Sequence, residues 1–489
     1  MTESVTLTGV RPFDGGEPVD LVLRDGIIAS IAPAGSAAPE GEAVATDGRW
    51  VGPGFWDAHV HFTQHVIRRR RLDLTETRSA DDVLDVVRRA RAASAPLSDG
   101  MLMGYGFRDG LWPVPATLAA LDAVVSDVPV VLVSGDLHCG WMNRAAASRF
   151  GLSLDETGLL REGPWIQLLH SFDEASALPA DAFREAADAA AARGVVGIVE
   201  YENTDNVTEW AERTAGGLTS LRADIAVWPD RLESVIAAGR RTGDVVDEHG
   251  LITFGRLKVV VDGSLNTRTA WCWDPYPGID PGHPHACGME SVPIPELRRL
   301  LERARGAGIE AAVHAIGDRA NTEVLDTFEA LGMKGVIEHA QLVRDDDFAR
   351  FAALGLIASV QPEHAMDDRD VADRHWSGRT GRAFAFGSLH RSGAALRLGS
   401  DAPVAPLDPW ISLSAATARS RGAREAWHPE QRLPLDVALA ASARTTVEIG
   451  QPADLVLTER DPYSSDRDEL RAMPVAATLL GGRFTWRTI

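Results

Sequence analysis

The chain has 489 residues, 45% of them apolar, so it can bury a large core and wholesale disorder is excluded. Its 49 basic and 70 acidic residues leave a net charge of −21, which argues against nucleic acid or an anionic membrane as partner. Three cysteines (Cys139, Cys272 and Cys287) contain no CxxC pair, so no disulfide framework is expected. The opening "MTESVTLTGV" lacks a basic segment followed by an apolar run, and no later run approaches the ~20 residues that span a bilayer. A cytoplasmic protein without a membrane partner is the expectation.

In chain order, "VDLVLRDGIIASIAP" (19–33) alternates apolar and polar residues around Asp-Gly, the pattern of a hairpin. "ADLVLTERDPY" (453–463) and "VAATLLGGRFTW" (475–486) repeat that style near the other end. The two ends, 1–50 and 448–489, are therefore expected to form one composite β-sandwich. Between them the spacing predicts strands at 51–61, 194–202, 221–228, 256–262, 309–315, 335–340, 356–362 and 395–401. Amphipathic helices separate most of them, such as 293–308 and 321–332. Strands alternating with helices predict an α/β fold, a TIM-like (β/α)8 barrel over 51–447 whose active site lies at the C-terminal strand ends.

Residues 63–190 break the rhythm, because a βα unit needs far fewer. This stretch contains "RRRR" (68–71), an arginine run of the kind a solvated or carboxylate-paired helix face carries. It reads as an insertion over the catalytic face, where substrate walls are built.

The polar residues that interrupt the strands point to chemistry. In "GFWDAHVHF" (54–62), Asp57, His59 and His61 fall on one face of an apolar strand, a costly arrangement unless something binds them. Lys258, His314, His339 and Asp401 lie at or near the ends of later strands, so all converge on the barrel mouth. Imidazole with carboxylate is the donor set of a catalytic zinc, and the HxH pair is assigned as a metal chelate.

"PGFWDAHVH", "RLKVVVDGSL", "VHAIGD", "VIEHAQ" and "GSDAPV" occur in this order, and the chain resembles the amidohydrolase superfamily of metal-dependent hydrolases. "DLHCGWMN" (136–143), "DGSLNTRTA" (262–270) and "SVQPEH" (359–364) resemble its branch of YtcJ-like proteins and N-substituted formamide deformylases. The resemblance implies two divalent metal ions, zinc being expected. His59, His61 and Asp401 would hold one, and His314 and His339 the other. Lys258, N6-carboxylated by carbon dioxide, would bridge them, with Glu200 as the competing bridge. Asn266 and Arg144 stand where small residues are usual in the branch, which bears on the substrate and not on the metals.

The expected reaction is hydrolysis of an amide-type C–N bond in a small molecule, with Asp401 moving the proton. His138, Trp141, Asn143, Arg268 and His364 are candidate substrate contacts, because the motifs that carry them fall in predicted catalytic-face loops. A deaminase acting on a cyclic amidine, or an esterase or isomerase using the same metals, is the alternative. A homodimer is an assembly the sequence allows.

Overall fold

A computed structural model describes residues 4–489 apart from 14, 94, 96, 98–99, 108, 110–111, 135–138, 162–163, 166–167 and 169–177. The chain divides into two compact units, one of residues 1–62 with 184–489 and one of residues 63–183.

In the larger unit, eight parallel strands run in barrel order: Phe55–Val60, Val195–Glu200, Arg222–Val227, Ile252–Val260, Ala311–Ala315, Gly335–His339, Ile357–Val360 and Ala395–Leu398. They are called the first to eighth barrel strands below. All eight expected strands are present. The first and eighth approach through a Val60–Ala402 bridge and the bond from Asp401 N to the His59 carbonyl, 2.8 Å. "VVGIVE" and "GVIEH" are buried at every residue, as expected of strands covered by helices outside and by packed side chains inside. The helices supply one apolar face each: Leu297, Leu300, Leu301 and Ala304 of Ile294–Gly306 are buried, while its charged residues face outwards.

The expected strand 51–61 is two elements. Trp50–Pro53 pairs with Leu455–Thr458 near the other chain end, whereas Phe55–Val60 enters the barrel. Gly54 is the hinge: its N–H reaches the Asp454 carbonyl at 2.8 Å, and a Cβ there would meet Val196 at 2.5 Å.

The chain ends meet as expected, but in one continuous eight-stranded sheet. Ser4–Pro12 links its halves, pairing with Val19–Arg24 and Glu42–Ala45 through its first residues and with Trp50–Pro53 through its last. The register of that strand shifts between Leu7 and Val10, where Gly9 has φ +72°. Leu7, Leu21 and Ile28 from one end of the chain share a core with Leu455, Leu457 and Leu479 from the other.

The smaller unit is built on a five-stranded sheet that includes Leu102–Phe107, Val130–Ser134 and Cys139–Met142. Helices Ala80–Ala92 and Leu118–Val124 contribute Val83, Val87 and Leu121 to its core. The segment 63–183 is thus a folded body with its own interior. No helix among the described residues is long and apolar enough to cross a membrane.

Candidate metal centre

The first barrel strand carries His59, which is buried, near its end, and His61, whose side chain keeps 28% of its exposure, follows directly after it. Nε2 of each faces Oδ1 of Asp401, at 3.6 Å from His59 and 3.5 Å from His61. His339, at the end of the sixth strand, has its ring centroid 4.9 Å from that of His59 and 4.5 Å from that of His314 on the fifth. Ligand atoms of His59, His339 and Asp401 all lie within 4.8 Å of one another. Lys258 enters from the fourth strand with Nζ 3.4 Å from His59 Nε2.

The local backbone is shaped for this convergence. His339 and Asp401 both have positive φ, +74° and +58°, a strained conformation for residues with side chains. Gly399 lets the eighth strand approach the first: a Cβ there would lie 2.7 Å from His59 N. Asp57 has a bracing role, its Oδ1 accepting from His59 N at 3.1 Å and Ser400 N at 2.9 Å. It ties the first strand to the eighth.

Burial dominates the electrostatics. It pushes His59 and His339 well below the ordinary histidine range, with nearby cationic groups adding to the shift. Burial, then Lys258, lowers His61 to about 4 and His314 to about 3. All these imidazoles are neutral at pH 7, as metal binding requires. Burial lowers Lys258 to about 8 against the pull of Glu338 and Asp401, and raises Asp401 to about 7 against Lys258.

This set fits divalent cations. Neutral imidazole nitrogens and a carboxylate face a common space, and His339 Nδ1 and His364 Nε2 are buried with no hydrogen-bond partner among the described residues.

Glu338 is the residue sequence reasoning missed. Its Oε2 lies 2.7 Å from His59 Nδ1, and its Oε1 accepts from the Tyr201 hydroxyl at 2.8 Å. The Nδ1–H of His59 is thereby fixed and the Nε2 lone pair points at the cluster. Glu200, weighed as a bridge, is occupied elsewhere. Its carboxylate accepts from Phe62 N, Glu202 N and Trp210 Nε1 at 3.1, 2.8 and 3.3 Å.

The expected substrate contacts fare unevenly. His364 joins the cluster, stacked 6.2 Å from His339 with Nε2 3.9 Å from Asp401 Oδ2. Arg268 is exposed on the loop after the fourth strand, with φ +57°. His138 lies outside the described residues. Trp141 is a core residue of the smaller unit, buried completely and edge-on to Trp112. Asn143 is a helix cap there: Oδ1 accepts from Val130 N and Ala146 N, and Nδ2 donates to the carbonyls of Val125 and Val128. All four hydrogen-bonding positions of its amide are used, which leaves none for a substrate and corrects that expectation.

A parallel barrel with such a donor set at its C-terminal end defines a metal-dependent hydrolase. The chain belongs to the amidohydrolase family, whose model matches residues 42–486. It is 26% identical to YtcJ of Bacillus subtilis over 92% of this chain and 91% of that one. It is also 27% identical to the N-substituted formamide deformylase of Arthrobacter pascens, over 92% of this chain and 90% of the other. In fold it is similar to a crystal structure of an uncharacterized metal-dependent hydrolase from Pyrococcus horikoshii. The TM-score is 0.77 at 24% identity, covering 95% of this chain and 99% of that one.

Proposed function

We propose that this hydrolase uses two divalent ions, zinc by preference, to cleave the C–N bond of N-substituted amides, formamides above all. The observation that carries the reading is the position of Lys258, buried inside the imidazole cluster 3.4 Å from His59 Nε2. An ammonium there opposes any cation bound by the histidines. With its pKa lowered to about 8, the lysine has a neutral amine available to react with carbon dioxide, and the carbamate formed is an anion able to bridge. A deaminase of this family type does without that lysine, so its position favours the amide hydrolase.

In this reading His59, His61 and Asp401 would hold one ion and His314 and His339 the second, with carboxylated Lys258 as the shared anionic ligand. When bound, the ions acidify water and polarise a carbonyl. Asp401 takes the proton of the attacking water and returns it to the departing nitrogen, so that amide and water become acid and amine. Glu338 keeps the His59 ring oriented throughout, and His364 stands beside Asp401 to orient the substrate carbonyl. The apolar character of the substrate is read from Trp273, on the loop after the fourth strand, which remains 41% exposed, whereas its neighbour Trp271 packs into the core.

A panel of N-alkyl and N-aryl formamides, N-acyl amines, cyclic amides and formamide itself tests the substrate class. N-substituted formamides should be hydrolysed with the highest kcat/KM and formamide poorly. A clear preference for cyclic amidines, with release of ammonia, would contradict it.

A further inference from the structure

Charge also enters the barrel at its other end. Arg256 lies two residues before Lys258, on the same inward face and nearer the N-terminal end of the fourth strand. Arg397 of the eighth strand and Arg444, just beyond the barrel, meet it there. The three line a cavity of about 140 Å³, open to solvent on one side, which extends towards Tyr201 and Glu338. Barrel interiors are ordinarily filled with branched apolar side chains, so three guanidinium groups around a cavity need a reason.

Two of them have partners. Arg256 pairs with Glu310 at 2.9 Å, and Arg444 with Asp224 at 2.6 Å while covering the Trp56 ring at 3.6 Å. Arg397 has no carboxylate partner among the described residues, and its Nη1 donates to the Leu396 carbonyl at 3.2 Å. Glu338 and Asp224 line the same cavity, but Asp224 is paired with Arg444, and Glu338, which accepts from Tyr201 and lies against His59, makes no ion pair with Arg397 among the described residues. Burial first, then Arg444 and Arg256, lowers the pKa of Arg397, so this charge lies in a repulsive setting. Val199, Val336 and Ile357 give the same cavity an apolar wall.

We propose that this cavity binds a small monocarboxylate, with its head on Arg397 between Arg256 and Arg444 and its short apolar body along Val199, Val336 and Ile357. A planar guanidinium fork matches a carboxylate in two parallel hydrogen bonds, and the anion relieves the repulsion among the arginines. A tetrahedral anion such as phosphate would satisfy the charge and leave the apolar wall unused. The site lies deeper in the barrel than the metal centre, and Tyr201 and Glu338, which line the cavity and also touch Lys258 and His59, stand between the two.

Calorimetric titration of the metal-loaded protein with butyrate, acetate and inorganic phosphate, each against sodium chloride of equal ionic strength, tests this. Butyrate should bind more tightly than acetate and raise the Tm. Arg397→Gln should weaken that binding by roughly tenfold or more, with metal content unchanged. Butyrate binding of equal strength in the variant places the carboxylate elsewhere and overturns the proposal. Phosphate binding as tightly as butyrate overturns the ligand class, and no binding by any of them overturns the site. Should the variant fail to fold, a butyrate-soaked crystal of the unaltered protein decides. Density against Arg397 supports the proposal, and density only at the metal centre overturns it.

Discussion

Glu338 Oε2 and His59 Nδ1 are 2.7 Å apart in the barrel interior, and this pair decides which nitrogen of His59 faces the metal site. Glu338→Gln replaces an obligatory acceptor with a group that can present either an oxygen or an NH₂. Metal affinity or kcat/KM should fall by roughly 10–100-fold, the usual cost of losing a partner behind a metal-binding histidine. Metal titration of the stripped variant, alongside rate measurements, checks this. Unchanged affinity and rate would mean that the histidine is held by its packing alone.

Lys258→Ala should abolish hydrolysis and lower bound metal towards one ion per chain. Acetate or propionate should restore part of the rate by supplying the missing carboxylate. Mass measurement on the native protein should show the added carbon dioxide. A bare amine beside two well-occupied metals would refute the carboxylated bridge.

Asp401→Asn keeps an oxygen donor but removes the proton acceptor. A fall in kcat of at least ~10²-fold is expected, with a much smaller change in metal content. A near-normal kcat would transfer the proton-moving role to another group, His364 being the neighbour.

Metal uptake by the stripped protein should depend on pH through the same carboxylate. Burial raises Asp401 to about 7, so its proton must leave before the oxygen can bind a cation. Falling pH refills that proton and also charges the Lys258 amine, whose pKa is about 8, so affinity should drop as pH descends from about 8 through about 7. The histidines do not set this limit, because His61 and His314 stay neutral down to about 4 and about 3. A titration midpoint near 4 would assign the effect to them instead.

Asn143 makes a prediction about stability. Its amide bonds to four backbone groups of the smaller unit, two of them at the start of helix Arg144–Arg149 and strand Val130–Ser134. Asn143→Ala should destabilise that unit by roughly 2–4 kcal/mol, read as a lower denaturation midpoint. The folded fraction should keep its KM. A raised KM at unchanged stability would return Asn143 to the substrate.

The barrel was legible because each strand is a short apolar run bounded by helical periodicity, and because His59, His314, His339 and Asp401 interrupt those runs at their ends. Lys258 was legible as a charge within "RLKVVVD". Glu338 was present in the same quoted stretch as His339, yet its role depends on a ring from a strand far away in sequence. Asking what fixes the second nitrogen of His59 was the signal that could have found it. The positive φ of His339 and Asp401 arises from tertiary strain, which no local pattern encodes. Trp141 and Asn143 misled for a different reason. A motif names residues without saying which way they face, and both turn into the interior of their own unit. The division of 51–61 at Gly54 was hidden because both halves are apolar strand sequence that pairs with different sheets.

The decisive measurement is hydrolysis of an N-substituted formamide as metal is stripped from the protein and returned, with bound metal counted per chain. Activity should vanish on chelation and rise with added zinc until two equivalents are bound. Full activity in protein shown to hold no metal would contradict the two-metal reading.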